Sequence, residues 1–249
     1  MQLIFLCSII YDIIEAQKGV SYCMTNFIKP DKFTDQTAIA ADERRDHYDI
    51  CNEQILEMEI VPDILFVGDS ITCNWVVDLY LGKWGYLVNR GIGGDNTLYI
   101  NKRADGDVFQ LKPKRVVYMA GTNDLMAIHP DFWWNIAGRD ADEVIENTLL
   151  NIEEFAKRCK DTALYLCSVI PSKLPVPYDK DAYNKAIVKL NKGIEDICKK
   201  YGAIYVDYHS HMCSSDGLTV KDGLTHEGVH PNCKGYQVMA DVLEKYLEI

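Results

Sequence analysis

The chain has 249 residues, 48% of them hydrophobic, so it is long enough to bury one large core. Its formal net charge of −11 argues against nucleic acid and anionic membrane surfaces as partners. Nine scattered cysteines without a CxxC pair indicate free thiols in a reducing compartment. We therefore predict a cytoplasmic protein without stable membrane insertion, with secretion as the alternative.

The first 40 residues are predicted to lie apart from the main domain. Their apolar run MQLIFLCSII has no preceding Lys or Arg, is followed by Asp12 and Glu15, and is too short to span a bilayer. We hypothesise that translation starts at Met24 or that residues 1–40 form a loosely attached arm. No linker-like segment divides the remainder, so we expect residues 41–249 to form a single domain.

Alternating apolar runs and helical patterns predict the fold class. Five runs read as buried strands: 64–67, 86–89, 115–120, 163–168 and 203–206. Helical spacing of apolar residues marks 142–160, 181–200 and 234–247, and a further helix before the first strand that contains Tyr48, Cys51, Ile55 and Met58. This alternation predicts a parallel sheet covered by helices on both faces. Functional residues should therefore follow the strands, at their carboxyl ends.

The loops after the first three strands carry candidate catalytic groups. Ser70, in Gly68-Asp69-Ser70, is predicted to begin a helix, where unpaired N–H groups favour the anion that a serine nucleophile generates. The alternative is that Asp69 or Ser70 only caps this helix. The next loop, RGIGGDNT, fails as a dinucleotide fingerprint because Asn96 occupies the third glycine position. Asn123, in GTND, offers an amide for an oxyanion hole, or is a turn residue.

The segment HEGVHPN, residues 226–232, allows two kinds of chemistry. His226-Glu227-x-x-His230 matches a zinc-hydrolase motif, which requires a helix. Gly228 and Pro231 disfavour that helix, so the zinc hydrolase is the less favoured alternative. In the other interpretation, a carboxylate orients His230, which acts as a general base.

The blocks GDSIT, GIGGDNT, GTND and HPN, in that order, resemble the SGNH hydrolase superfamily of GDSL-type esterases and lipases, including acetylhydrolase-like members. The resemblance runs from about residue 60 to the C-terminus. It implies a flavodoxin-like three-layer α/β/α sandwich, which agrees with the five predicted parallel strands. It also implies Ser70 as nucleophile, His230 as base, and an oxyanion hole of the Ser70 N–H, the Gly94 N–H and the Asn123 side chain, without metal or cofactor.

The triad acid departs from the family pattern. The family usually has Asp three residues before the histidine, whereas this chain has Glu227. We therefore rank Glu227 first as the acid and Asp222 second. Asp69, Trp133 and Trp134 are expected to contact the substrate, although the tryptophans could instead pack their loop onto the domain.

Together these features predict a serine esterase that hydrolyses a small, acetyl-like ester, with a carbohydrate ester as the first candidate substrate. The competing hypotheses are a catalytically inactive glycan-binding protein of the same fold and the zinc hydrolase. The sequence makes no prediction about the oligomeric state.

Overall fold

The computed structural model describes residues 39–130, 137–174 and 179–248. Within these residues, five parallel strands form one sheet: β1 Ile64–Gly68, β2 Leu87–Gly91, β3 Arg115–Met119, β4 Ala163–Cys167 and β5 Ile204–Val206. All five lie where the apolar runs place them. The expected five-stranded parallel sheet is thereby confirmed. The proposed arm, residues 1–40, lies almost wholly outside the described residues, so the division into arm and domain stays a prediction.

Helices connect and flank the strands. They are α1 Ile39–Glu57, α2 Ser70–Cys73, α3 Val77–Leu81, α4 Thr97–Asp107, α5 Thr122–Met126, α6 Ala141–Arg158, α7 Lys180–Tyr201, α8 Tyr208–Met212 and α9 Cys233–Leu247. The predicted helices correspond to α1, α6, α7 and α9. The sequence predicted the start of α2, at Ser70, whereas α3, α4, α5 and α8 were not predicted.

Side-chain caps explain where three of the long helices begin. Asp140, Asp179 and Asn232 each accept hydrogen bonds from backbone N–H groups in the first turn of α6, α7 and α9, respectively. Asn232 comes two residues after His230. The cap that starts α9 therefore anchors the chain immediately after the candidate general base.

In the described residues, two large buried clusters lie on opposite faces of the sheet. Leu65 and Val67 of β1 belong to a cluster with apolar residues of α6 and α7. Ile64 and Phe66, which alternate with them, belong to a second cluster with residues of α9. Alternate side chains of a strand point to opposite faces, so β1 is apolar on both sides and the sheet is the middle layer of an α/β/α sandwich.

The order of the strands in the sheet predicts where a ligand would bind. The order β2-β1-β3-β4-β5 means that the chain leaves β1 toward one edge and then returns past it to form β3. The direction of the connections thus reverses between β1 and β3, and ligands of open α/β sheets bind in the crevice beyond the carboxyl ends of the strands at such a point. Ser70 follows β1 and Asn123 follows β3.

Candidate active site

Ser70 is the first residue of α2, and Asp69 alone separates it from the end of β1. Asp69 caps this helix, because its side chain accepts a hydrogen bond of 2.9 Å from the Ile71 N–H. The Ser70 side chain is half-buried, so its hydroxyl remains accessible from the crevice. The backbone N–H of Ser70 lies in the first turn of the helix, where such donors have no partner within the helix.

His230 completes a hydrogen bond with this serine. Its Nε2 lies 2.8 Å from Ser70 Oγ, across 160 residues of sequence. The loop that carries His230 is closed on itself by an N–H to carbonyl bond of 2.9 Å from His226 to His230. It is also fixed to the segment after β4, because Lys173 N–H donates to the Gly228 carbonyl at 2.7 Å. Gly228 has a φ of +99°, and an added Cβ would lie 2.3 Å from the Lys173 carbonyl oxygen.

Glu227 contacts the opposite side of the imidazole. Its Oε1 forms a short hydrogen bond with His230 Nδ1 and accepts a second, of 3.0 Å, from the His230 backbone N–H. Partial burial opposes ionisation, but these hydrogen bonds from His230 outweigh it and lower the pKa of Glu227. A carboxylate in this position selects the tautomer with hydrogen on Nδ1, which leaves Nε2 free to accept the serine proton.

Asp222 does not contact the histidine. Its carboxylate pairs with the Lys173 ammonium group, and its side chain is 97% exposed. The Lys173 hydrogen bond and charge lower the pKa of Asp222. Of the two candidate acids, the structure therefore brings only Glu227 to His230.

Residues 226–230 do not form the helix that a zinc site of the HExxH type requires. They form a bend between Thr225 and Pro231, which pair as an isolated antiparallel bridge. His226 and His230 consequently do not share a helix face. Within the described part of the chain, no group of three or more His, Cys, Asp or Glu side chains is arranged to hold a metal ion.

Two of the candidate oxyanion donors lie on loops that are joined by a hydrogen bond. Asn123 Nδ2 donates to the Asp95 carbonyl at 2.8 Å, which links the start of α5 to the glycine loop after β2. That loop lies alongside the nucleophile, since a Cβ built at Gly93 would be 3.9 Å from the Ser70 Cβ. Ser70, Asn123 and the residues before Gly94 are thus brought to the same end of the sheet.

A second link between these loops was missed in the sequence analysis. Asp124 accepts hydrogen bonds from the Thr97 N–H at 3.1 Å and from Thr97 Oγ1 at 2.5 Å. Asn151 of α6 donates to the same hydroxyl at 3.0 Å. Burial raises the pKa of Asp124, although the Thr97 hydrogen bonds oppose this effect. The GTND motif thus contributes a carboxylate that clamps the start of α4.

A buried charge network, also missed, lies behind the glycine loop. Arg103 is fully buried and pairs with Asp95 at 2.6 Å and with Asp107 at 2.8 Å. Its guanidinium also donates to the backbone carbonyls of Arg90 and Gly68 at 2.8 and 3.2 Å. It therefore ties the ends of β1 and β2 to α4. The spacing of Arg103 and Asp107 was visible in the sequence, but it is equally typical of an exposed helix face.

The predicted substrate contacts have different outcomes. The Asp69 side chain has no exposed surface, so the prediction that it contacts the substrate is wrong: its role in this structure is to cap α2. Burial raises the Asp69 pKa to about 7, in spite of the Ile71 hydrogen bond. Trp133 and Trp134 lie outside the described residues, and their predicted contact with substrate stays a prediction.

Comparison with known proteins identifies the family. Residues 66–238 match the GDSL-like lipase/acylhydrolase family. The chain belongs to this family. The match runs from β1 into α9, and it confirms the resemblance to SGNH hydrolases that the four sequence blocks suggested.

Two individual proteins are similar to this chain at 27–28% identity. An acetylxylan esterase of Xylanibacter ruminicola is 27% identical over 206 residues, which are 71% of this chain and 41% of that protein. This chain thus spans about two fifths of the length of that relative. A GDSL-like lipase structure from Bacteroides thetaiotaomicron has a TM-score of 0.67 and 28% identity, covering 82% of this chain and 96% of its own.

A more distant structure shows the shared fold alone. The acetylxylan esterase Axe2 of Geobacillus stearothermophilus has a TM-score of 0.59 at 17% identity, over 77% of this chain and 97% of its own. In the described parts of this chain, every helix is too short or too polar to cross a membrane.

Proposed function

We propose that this protein is a carboxylic ester hydrolase that cleaves a small acyl ester with Ser70, His230 and Glu227. The observation that carries the proposal is the 2.8 Å hydrogen bond between Ser70 Oγ and His230 Nε2, with Glu227 bonded to the other ring nitrogen. Serine hydrolases of unrelated folds share this spatial arrangement, in which the base contacts the nucleophile on one side and the acid on the other. Membership of the GDSL-like lipase/acylhydrolase family supports the same chemistry.

Acylation begins with proton transfer from Ser70 to His230. As Ser70 Oγ forms a bond to the ester carbonyl carbon, Nε2 of His230 takes the hydroxyl proton, and the carbonyl π electrons move to oxygen. Glu227 stabilises the resulting imidazolium and holds its Nδ1–H. The short path from Oγ to Nε2 lets this transfer occur without movement of the histidine loop.

The oxyanion of the tetrahedral intermediate is assigned to three donors. These are the Ser70 N–H, the Gly94 N–H and the Asn123 side chain. One N–H of the Asn123 amide is engaged by the Asp95 carbonyl, which orients the amide and leaves its second N–H for the oxyanion. A single preorganised donor of this kind is typically worth about 3–4 kcal/mol of transition-state stabilisation.

Collapse of the intermediate releases the alcohol. The imidazolium of His230 returns its proton to the leaving alkoxide oxygen as the carbon–oxygen bond breaks, and the acyl group remains on Ser70. A water molecule then attacks the acyl-enzyme, with His230 as its base. The second tetrahedral intermediate expels Ser70 Oγ, which regains a proton, and the carboxylic acid leaves.

The proposed substrate is a small, acetyl-like ester of a carbohydrate. The support comes from the Xylanibacter ruminicola relative, which is named for acetylxylan, over the 71% of this chain that it matches. Because this chain spans only 41% of that relative, the substrate is a proposal for the present chain.

Labelling with a fluorophosphonate tests whether the serine is activated. The purified protein should gain one adduct by intact mass, and peptide mapping should place it on Ser70. Ser70→Ala should remain unlabelled, and His230→Ala should label far more slowly because the hydroxyl loses its base. Ser210→Ala is a matched control, since Ser210 Oγ also lies beside a histidine, at 3.3 Å from His211 Nδ1. It should label like the wild type.

The outcome separates the three hypotheses. An adduct on Ser70, together with hydrolysis of 4-nitrophenyl acetate that survives a chelator, supports the serine esterase. A folded protein that stays unlabelled but binds a glycan would contradict the proposal in favour of the inactive binding protein. Activity that a chelator abolishes and zinc restores would instead support the zinc hydrolase.

A further inference from the structure

A cavity of 440 Å³ lies between the start of α4, α5 and one face of α6, and it touches one of the proposed catalytic residues. Asn123, the proposed oxyanion donor, is part of its wall, so the cavity adjoins the reacting carbonyl. Cavities of about 300–1,000 Å³ are typical of small-molecule sites. Its volume and its position both indicate a place for part of the substrate.

Side-chain amides dominate the polar wall of this cavity. Besides Asn123, it contains Asn96, Asn147 and Asn151. The side-chain oxygen of Asn96 accepts the hydrogen bond that caps α4. The side-chain nitrogen of Asn147 donates to the Glu143 carbonyl, and that of Asn151 donates to the Thr97 hydroxyl. The other polar end of each of these three amides has no hydrogen-bond partner among the described residues. The wall can therefore both donate to and accept from a ligand that carries hydroxyl groups.

Two exposed leucines complete the wall. Leu98 and Leu150 are 47% and 56% exposed, which is high for large apolar side chains, and both line the cavity. A sugar ring has C–H groups that pack on apolar side chains and hydroxyls that bond to amides, so this mixture suits it. An extended alkyl chain would fit poorly, because it would desolvate the amides without replacing their hydrogen bonds.

The cavity walls are held together before any ligand binds. Thr97, at the start of α4, donates to Asp124 of α5, and Asn151 of α6 donates to the Thr97 hydroxyl. Arg139, at the edge, is paired with Glu143 at 2.5 Å, so its charge is balanced locally. A wall that is already ordered loses little conformational entropy on binding, and a locally balanced charge favours a neutral ligand.

We propose that this cavity is a glycosyl subsite that holds the sugar on the alcohol side of the ester. The inference rests on the proposed esterase function, because it assigns the cavity to the leaving group. A small acyl group does not fill a space of this size, and the amide-rich wall disfavours a long one.

Kinetics with three esters test the assignment. The substrates are acetylated xylotriose, 4-nitrophenyl acetate and 4-nitrophenyl octanoate, and the variants are Asn147→Ala and Leu150→Ala. Both residues are exposed on α6, so the variants should fold. The ratio of kcat/KM for the acetylated sugar to kcat/KM for 4-nitrophenyl acetate should fall about tenfold in each. Glu154→Ala, on an exposed position of the same helix outside the cavity, should leave this ratio unchanged.

Binding provides a readout that does not depend on turnover. In Ser70→Ala, xylotriose should cause saturable NMR shifts of the Asn147 and Asn151 side-chain amides. The double variant with Ser70→Ala and Asn147→Ala should bind xylotriose about tenfold more weakly than Ser70→Ala alone. An unchanged kinetic ratio or the absence of saturable shifts would overturn the subsite, as would a loss confined to the octanoate, which would indicate an acyl pocket.

The two proposals can fail separately. If the wild type hydrolyses none of the three esters and takes no fluorophosphonate, the esterase function is wrong. Saturable binding of xylotriose at the same amides would still establish the sugar site in that case. Labelling of Ser70 without any xylotriose binding would leave the esterase standing and overturn the glycosyl subsite.

Discussion

Glu227 is the residue at which this chain departs from the aspartate that the family resemblance implies. Its longer side chain still reaches the imidazole, because one carboxylate oxygen also accepts a 3.0 Å bond from the His230 backbone N–H three residues later. That bond folds the side chain back over its own loop and restricts the extra methylene. The three-residue spacing between Glu227 and His230 therefore fixes the position of the carboxylate more than the length of the glutamate side chain does.

Exchanging the two candidate acids for their amides separates their roles. Glu227→Gln removes the charge that stabilises the His230 imidazolium and favours the wrong tautomer, so kcat should fall roughly 10²–10⁴-fold. Asp222→Asn should stay within about twofold of wild type, because it breaks only an exposed ion pair with Lys173. Steady-state kinetics on 4-nitrophenyl acetate give both values. Loss of activity in Asp222→Asn with an active Glu227→Gln would reverse the assignment.

Residues with a sequence motif were found and residues that act through packing were not. The positions of Ser70, Asn123 and His230 followed from short blocks after predicted strands. Arg103 has no such signal, since nothing in the sequence distinguishes a charged side chain buried against Asp95 from one on a solvated helix face. Asp69 was misassigned because a polar residue beside a nucleophile looks accessible, while the burial that makes it a cap depends on the tertiary fold.

At the scale of elements, the position of the nucleophile depends on how closely α2 approaches β2. A Cβ at Gly91, the last residue of β2, would lie 2.2 Å from the backbone nitrogen of Cys73 at the end of α2. The absence of a side chain at this position lets the helix that starts with Ser70 pack directly on the neighbouring strand. Gly91 is thus a packing requirement for the site, although it lies outside the proposed catalytic residues.

Gly91→Ala should displace α2 and so affect stability and activity together. Overpacking of this kind typically destabilises by about 1–3 kcal/mol, which corresponds to a decrease in Tm of roughly 2–12 °C for a chain of this length. Gly82→Ala is the matched control, because Gly82 has helical dihedral angles and no atom within 4 Å of an added Cβ. Thermal unfolding and kcat of both variants check the prediction. Equal behaviour of the two variants would mean that the approach of α2 does not matter.

The same scale explains which elements were predictable. The helices α6, α7 and α9 bury regular apolar stripes, so their 3.6-residue period was visible in the sequence. In α4 the buried face includes Arg103 and Asp107, which interrupts the apolar pattern and hides the helix. The helices α2, α3, α5 and α8 have four or five residues each, too few to show a helical period.

At the scale of the whole molecule, burial of carboxyl groups near the site opposes stability at neutral pH. Burial raises the pKa values of Asp69, Asp95 and Asp124, and for Asp69 the charges of the other two add to the effect. Arg103 compensates Asp95 by a direct ion pair, but it makes none with Asp69. The fold therefore retains a carboxyl group at the site that binds its proton more tightly when folded than when unfolded.

This linkage has a definite sign. A group whose pKa rises from 3.8 to about 7 on folding holds its proton in the folded state across that range, so it contributes stability at low pH that is lost as the pH rises through about 7. Between pH 5 and 8 the expected loss from Asp69 alone is roughly 2–3 kcal/mol. Asp69→Asn removes the titration, and an amide oxygen can still accept the Ile71 hydrogen bond.

The difference in free energy of unfolding between Asp69→Asn and the wild type should therefore increase, in favour of the variant, by roughly 2–3 kcal/mol from pH 5 to pH 8. Urea denaturation at both pH values measures it. Asp222→Asn serves as the control, because the pKa of Asp222 is lowered from 3.8 and its titration lies below this pH window. Its pH dependence should parallel that of the wild type. If Asp69→Asn also ran parallel to the wild type, the folded protein would hold Asp69 ionised, although no cationic side chain among the described residues pairs with this buried carboxyl group.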